Sequence, residues 1–384
     1  MAELKEIFCQ DKAISILQRA FAADKVPHAY IFAGLDGIGK FKTARQWAKL
    51  LLCKRPDIEN NFADSCGRCQ SCLLFEAGSH PDFNLIYKEL LEFTKNGKGK
   101  DPPIDFPIDV IREFVVEKVS TKPVLSQRKV FIITEAEKMD IEPQNALLKT
   151  LEEPPDSCSI ILICTSLEKL LPTTRSRCQT IRFSPVSGDR IIKKLEQMGM
   201  SENQAKYFAR FSQGSIGFAC HLAQIELAEP DPADAKKGPL PKLYETKKEI
   251  IDSIVSLKYA DSLELAEQFL EKSREIAKFW GRLDDATSTK DINRRSHKVI
   301  LQIIISALTD AMKFGIVKSQ DLINFDQQDK IGNLAARFTP EQAAEKIADT
   351  YKSMQWVDAS VNDRLIFEQL LLNLAVSDTM NVSQ

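Results

Sequence analysis

The 384-residue sequence predicts an α/β domain on a parallel sheet, followed by regions that are wholly helical. Three observations lead there. Short apolar runs alternate with amphipathic stretches as far as Pro185. A glycine-rich loop ending in lysine sits between the first apolar run and the first amphipathic stretch. Beyond Pro185 the strand signals fade and helical periodicity takes over.

Taken in order, a helix is expected within Phe8–Ala22. His28–Ala33 is an apolar run that stops at Gly34, and Ala44, Trp47, Ala48 and Leu51 then fall at i, i+3, i+4 and i+7, one face of a helix. Further apolar runs occupy Phe83–Tyr87, Val130–Ile133, Ile160–Cys164 and Thr180–Phe183. Strands alternating with helices imply a parallel sheet covered on both faces, here assigned to residues 1–185. Asp189–Met198, Glu202–Ser212 and Ile216–Leu227 read as three short helices, a small module over residues 186–228. Residues 229–241 hold Pro230, Pro232, Pro239 and Pro241 among alternating charges, the composition of a linker. Residues 242–384 read as helical almost throughout, with a break expected between Gly332 and Phe338 and a frayed tail over Asp378–Gln384.

Charge excludes one class of function. Lys plus Arg (52) nearly balances Asp plus Glu (54), for a formal net charge of -2. Such a chain does not coat nucleic acid by net charge, although a local basic surface remains open. No segment approaches the roughly 18 apolar residues that span a bilayer, and the charged N-terminus lacks the apolar core of a signal peptide. A cytoplasmic protein is expected, with no membrane partner. In that compartment nine cysteines do not build a disulfide framework, so a cluster of them asks for a metal.

Gly34-Leu35-Asp36-Gly37-Ile38-Gly39-Lys40 fits G-x-x-x-x-G-K between a strand and a helix. Glycines let the backbone wrap phosphate oxygens, amides at the helix start donate, and lysine supplies charge. Gly34, Gly39 and Lys40 are therefore nucleotide-binding candidates. The next position should carry the hydroxyl that holds Mg²⁺, and here it is Phe41; Thr43 would face elsewhere on the helix. Lys129–Met139 has the form of the second ATPase motif, an apolar strand ending in acids. Thr134 stands where the Mg²⁺-binding Asp belongs, and only Glu135 remains of the pair. Magnesium stabilises the phosphoryl-transfer transition state by several kcal/mol. Efficient hydrolysis of Mg²⁺–ATP is not expected here, and nucleotide binding itself is left open.

Gln144-Asn145-Ala146-Leu147-Leu148-Lys149-Thr150-Leu151-Glu152-Glu153-Pro154-Pro155, followed by Thr173-Thr174-Arg175-Ser176-Arg177-Cys178, resembles the clamp-loader branch of the AAA+ proteins. The resemblance covers residues 5–225 by motif and the rest by size and class. It implies an AAA+ P-loop-type parallel-sheet domain, a small helical lid and an all-α C-terminal collar domain. It gives Ser176, Arg177 and Cys178 as an interface motif, with Arg177 as an arginine finger reaching the γ-phosphate in a neighbouring subunit. A planar, permanently charged guanidinium suits developing phosphate charge; a plain salt bridge at a strand start is the other reading. Gln10 and Asp11 match the family's adenine-side entry loosely. Working ATPases of the family place an arginine near Gly-Ser in the lid, whereas Ser212-Gln213-Gly214-Ser215-Ile216-Gly217-Phe218 has none. The combination resembles the family's non-hydrolysing members. Implied partners are the gamma/tau and delta subunits of a hetero-oligomeric pentamer, primer-template DNA within it, and the sliding clamp indirectly. An ATP-hydrolysing gamma/tau-type subunit, or a zinc-stabilised nucleotide-binding scaffold outside the clamp loader, are the alternatives.

Cys53, Cys66, Cys69 and Cys72 form C-x12-C-x2-C-x2-C. At this chain's own cysteine frequency the last three recur by chance about 0.005 times. Four thiolates so spaced suit a closed, structural Zn²⁺, with Gly67 and Arg68 in the turn; a redox pair is the rival. The family carries such a zinc module, inserted after the first helix. His80-Pro81-Asp82 reads as a loop motif, with metal-bound His80 as the weaker reading. Lys95–Lys100 could brush a DNA backbone or be a solvated loop.

Overall fold

Parallel strands dominate the first half of the chain and helices the second. The structure, a computed structural model, describes residues 4, 7, 9–59, 62–99, 103–155, 157–228, 242–283 and 288–376. They divide into two compact units, Met1–Val186 with Ser215–Gly217, and Ser187–Gly214 with Phe218–Gln384.

In the first unit α1 (Asp11–Ala22) precedes β1 (Ala29–Ala33) and α2 (Lys40–Leu52). A hairpin of β2 (Asp57–Glu59) and β3 (Phe62–Asp64) and the short α3 (Gln70–Glu76) lead to β4 (Phe83–Ile86). A helical stretch follows, α4 (Ile108–Ile111) and α5 (Glu117–Val119) joined through a π-helical turn at Arg112–Val116. Then come β5 (Lys129–Ile133), α6 (Ile141–Glu152), β6 (Cys158–Cys164), α7 (Pro172–Ser176) and β7 (Gln179–Arg182). The main sheet runs β4-β5-β6-β1-β7, with every pairing parallel.

β1 and β6 are buried along their whole length, which is why they read as continuous apolar runs. The two-residue period of a strand still sorts them by face. Tyr30 and Phe32 join Trp47 and Leu17 in one core, while Ile31 and Ala33 join Phe131, Ile133 and Leu147 in the other. Trp47 meets the rings of Tyr30 and Phe21 edge-on, each at 6.1 Å between centroids.

The helix expected within Phe8–Ala22 is α1, which starts at Asp11; Phe8 lies outside the described residues. One expectation needs correction here. The cysteine module follows the second helix, not the first, because α1 precedes the phosphate-loop strand.

The second unit contains α8 (Gly188–Gln197), α9 (Glu202–Phe211) and most of α10 (Ile216–Leu227). It continues with α11 (Leu243–Val255), α12 (Ser262–Leu283), α13 (Thr289–Lys313), α14 (Gln328–Arg337), α15 (Pro340–Asp358) and α16 (Asp363–Ala375). The break expected between Gly332 and Phe338 falls at the end of that range: α14 runs through Gly332, stops at Arg337, and the last two helices follow. A Cβ at Gly332 would come within 3.1 Å of the Phe314 ring, so glycine serves packing and not a turn. The chain breaks at Phe338–Thr339, where Thr339 and Gln342 form a capping box on either side of Pro340. Arg337 caps two helices at once, donating to Ile254 O at 3.0 Å and Leu374 O at 3.1 Å. Lys247 is fully buried between the rings of Tyr207 and Tyr244 and pairs with Asp326 at 2.5 Å. The predicted linker 229–241 and tail Asp378–Gln384 lie outside the described residues. Among the described residues no helix is long and apolar enough to cross a membrane.

Candidate functional site

Parallel sheets bind ligands beyond the carboxyl ends of their strands, and the ends of β1, β5 and β6 carry the groups of interest. The loop Gly34–Lys40 leaves β1. Gly34 is required by close approach, since a Cβ would sit 2.7 Å from Ile38 Cδ1 and 2.8 Å from Phe183 O. Gly39 (φ 101°) is the N-cap of α2. Gln10 fixes the loop from below, donating to Ile38 O at 3.0 Å and Ser184 O at 2.9 Å. Lys40 is buried, and its Nζ donates to Gly34 O (2.7 Å) and Leu35 O (2.5 Å) of its own loop. Burial lowers its pKa, against the opposing charges of Asp36 and Glu137.

The magnesium positions offer little oxygen. Phe41 is 41% exposed. Thr43 is buried, and its hydroxyl donates to Gly39 O at 2.9 Å. At the end of β5 the Thr134 hydroxyl points to Ile86 O at 3.4 Å. Glu135 adopts a left-handed backbone (φ 48°) and pairs with Lys138 at 2.5 Å and Lys88 at 3.6 Å. Ser215 Oγ donates to Asp36 O and Gly217 N to Gly37 O, both at 2.7 Å, so the arginine-free segment closes directly on the loop.

Sequence reasoning missed Glu137 and Thr165. Thr165, just past β6, donates to Glu137 Oε1 at 2.5 Å, while Glu137 Oε2 is buried and has no hydrogen-bond partner among the described residues. The only sequence signal was that Thr165 ends an apolar run. Its relevance depends on β6 lying between β1 and β5, which no local pattern reveals.

At the far end of α7, Arg177 is one-third exposed. Its Nη1 donates to Thr173 O at 2.9 Å, and its Nη2 pairs with Glu152 Oε1 at 2.7 Å. Ser176 Oγ donates to Thr173 O at 3.0 Å. Cys178 packs on the core, and burial pushes its thiol up to about 12.

Cys53, Cys66, Cys69 and Cys72 converge, their sulfurs all within 4.8 Å of one another. Cys53 Sγ lies 3.6 Å from Cys66 Sγ and 3.9 Å from Cys69 Sγ. A tetrahedron with Zn–S bonds of 2.3 Å has edges of about 3.8 Å, so the donor set fits Zn²⁺. His80 is engaged elsewhere: its Nδ1 accepts from Asp82 N at 3.0 Å and its Nε2 lies 2.8 Å from Ser71 Oγ. The Asp82 carboxylate accepts from the amides of Val124, Leu125 and Ser126 at 2.6–2.8 Å. His80-Pro81-Asp82 is thus a staple. In the Lys95–Lys100 stretch, Lys95 N donates to Glu113, and Lys100 lies outside the described residues.

A parallel sheet with a phosphate loop after β1, the acidic end of β5 on the far side of β6, and a helical module later in the chain defines a P-loop protein of the AAA+ class. The family described as DNA polymerase III, delta subunit, matches residues 9–187, and its C-terminal counterpart matches residues 283–375. The chain belongs to the clamp-loader family of DNA polymerase III subunits, on its delta-prime branch. It is 30% identical over 244 residues to DNA polymerase III subunit delta' of Bacillus subtilis, covering 63% of this chain and 66% of that one. To the delta' subunit of Pseudomonas aeruginosa it is 40% identical over 151 residues, covering 39% and 41%. It is also 28% identical over 286 residues to subunit tau of Bacillus subtilis, covering 71% and 47%. The chain therefore spans less than two thirds of the length of each of these relatives.

Proposed function

We propose that this chain is a non-hydrolysing subunit of a replication clamp loader, which completes a neighbour's ATP site with Arg177 as a sliding clamp is loaded onto primed DNA. The observation that carries the reading is a phosphate loop with hydrocarbon at its magnesium position: Phe41 offers no oxygen, and the Thr43 hydroxyl is committed to Gly39 O. Thr134 stands where the second magnesium ligand belongs. Arg177, by contrast, keeps a partly exposed guanidinium whose ionic partner among the described residues, Glu152, lies at the surface. An arginine supplied in trans is worth about 10³–10⁵ in rate in related phosphoryl transfers.

In this reading residues 186–228 act as the lid and 242–384 as the collar domain. The collar joins gamma/tau and delta subunits in a pentamer around primer-template DNA. Cys53, Cys66, Cys69 and Cys72 hold Zn²⁺, which folds an insertion too small to bury a core of its own. The reconstituted complex tests the proposal. Arg177→Ala should fold normally and depress DNA-stimulated ATPase at least tenfold, with Arg177→Lys little better, because a point charge does not reproduce the fork. Unchanged ATPase refutes the arginine role, and ATP turnover by the isolated chain favours an active gamma/tau-type subunit.

A further inference from the structure

The C-terminal helices enclose a cleft of about 510 Å³ that the Arg177 reading does not use. Its wall carries Arg274 from α12, Lys290, Arg294 and His297 from α13, and Arg364 from the first turn of α16. Lys290, Arg294 and His297 recur at i, i+4 and i+7, so one face of α13 lines the cleft. Asp363 is the one carboxylate among the described lining residues, and it faces His297 Nε2 at 3.1 Å. Four permanent cations line the cleft beside Asp363, and three of them pair with Asp291, Glu267 or Glu368 outside the lining, so the cleft surface itself is cationic in a chain whose formal net charge is -2.

The floor is fixed and the rim is free to rearrange. Arg294 donates to Ser360 Oγ at 2.6 Å and pairs with Asp291 at 3.1 Å, which holds its guanidinium in place. Arg274 and Arg364 are 56% and 62% exposed and share Glu267 at 3.4 Å and 3.8 Å, while Arg364 also pairs with Glu368 at 2.7 Å. Exposed pairs of this kind are weak because water screens them, so an arriving anion displaces them at little cost. The positive end of the α16 dipole adds to the field.

We propose that this cleft binds phosphate groups, carried by a strand of nucleic acid or by a free anion such as pyrophosphate. It involves none of the phosphate loop or Arg177, so it stands whether or not the ATPase reading does. The test uses the full chain and the Arg274→Glu/Arg364→Glu variant, whose fold is checked by circular dichroism. Binding of a labelled single-stranded oligothymidylate is read by anisotropy, and of inorganic pyrophosphate by calorimetry.

The variant should bind at least tenfold more weakly. For the oligonucleotide, the slope of log K against log salt should shrink by about 1.4, two single-strand phosphate contacts at about 0.7 each. Weakened oligonucleotide binding without pyrophosphate binding identifies the strand as the source, and weakened pyrophosphate binding identifies the free anion. Equal affinity of variant and wild type, or no binding of either anion, overturns the proposal.

Discussion

Arg177 Nη2 lies 2.7 Å from Glu152 Oε1, so the candidate trans-acting guanidinium is held by a carboxylate from the end of α6. Both side chains are partly exposed, and such a pair contributes no more than about 1 kcal/mol. Glu152→Gln should therefore leave the thermal midpoint within a few degrees of wild type. In the reconstituted complex it should keep ATPase at or above the wild-type level, since Arg177 has one tether fewer. A drop to the Arg177→Ala level would mean that the pair, and not the free guanidinium, is what the neighbour needs.

Restoring oxygen to the loop is the converse experiment. Phe41→Thr with Thr134→Asp puts back both missing magnesium ligands at a loop whose backbone is already formed. Nucleotide binding by this double variant should become magnesium-dependent, with affinity rising several-fold on adding Mg²⁺. Turnover should stay low, because the segment Ser212–Phe218 still lacks arginine. Binding that ignores Mg²⁺ would remove Phe41 and Thr134 from the proposed reading.

The four converging thiols predict one zinc per chain, measurable by elemental analysis of the purified protein. Cys69→Ser should release that metal and expose the amides of β2 and β3 to hydrogen exchange, because metal binding and folding of such an insertion are one event. Retention of a full equivalent of zinc would refute the ligand set.

Asp82 gives a pH signature. Burial alone would raise its carboxyl, but the amides of Val124, Leu125 and Ser126 outweigh that and hold it below the usual carboxylate range. A group with a lowered folded pKa contributes its stability in full above its unfolded pKa of about 3.9 and loses it as pH falls toward the folded value. Asp82→Asn should cost about 3 kcal/mol near neutrality and flatten the acid limb of the urea midpoint below about pH 4. An unchanged acid limb would remove Asp82 from the account.

Lys247 is buried against Asp326, and removing one member of such a pair strands the other. Lys247→Met should destabilise by about 3–5 kcal/mol, whereas Lys247→Met with Asp326→Leu should recover most of it. Urea unfolding checks both, and a double variant as unstable as the single would contradict the pair reading.

How much was legible depends on how local each signal is. The strand runs, the glycine loop and the cysteine spacing are patterns within a few residues, and all three were readable before any fold was known. The β2–β3 hairpin escaped notice because three-residue strands carry no usable period, and the π turn because a single widened turn leaves the apolar pattern nearly intact. The break expected over Gly332–Phe338 lies at Phe338, and Gly332 itself stays inside α14 because it makes room for Phe314.

Sequence by itself determined the class of the chain and the two departures from its motifs, because a Phe at 41 has no side-chain oxygen and a Thr at 134 has no carboxylate in any conformation. Only tertiary structure decided who faces whom. Thr165 meets Glu137 across the end of β6, Glu152 holds Arg177, and cations from three helices line one cleft. Those neighbours are dozens of residues apart or set by strand order, and the free energy that brings them together comes from burying distant apolar faces, which no short window of sequence records.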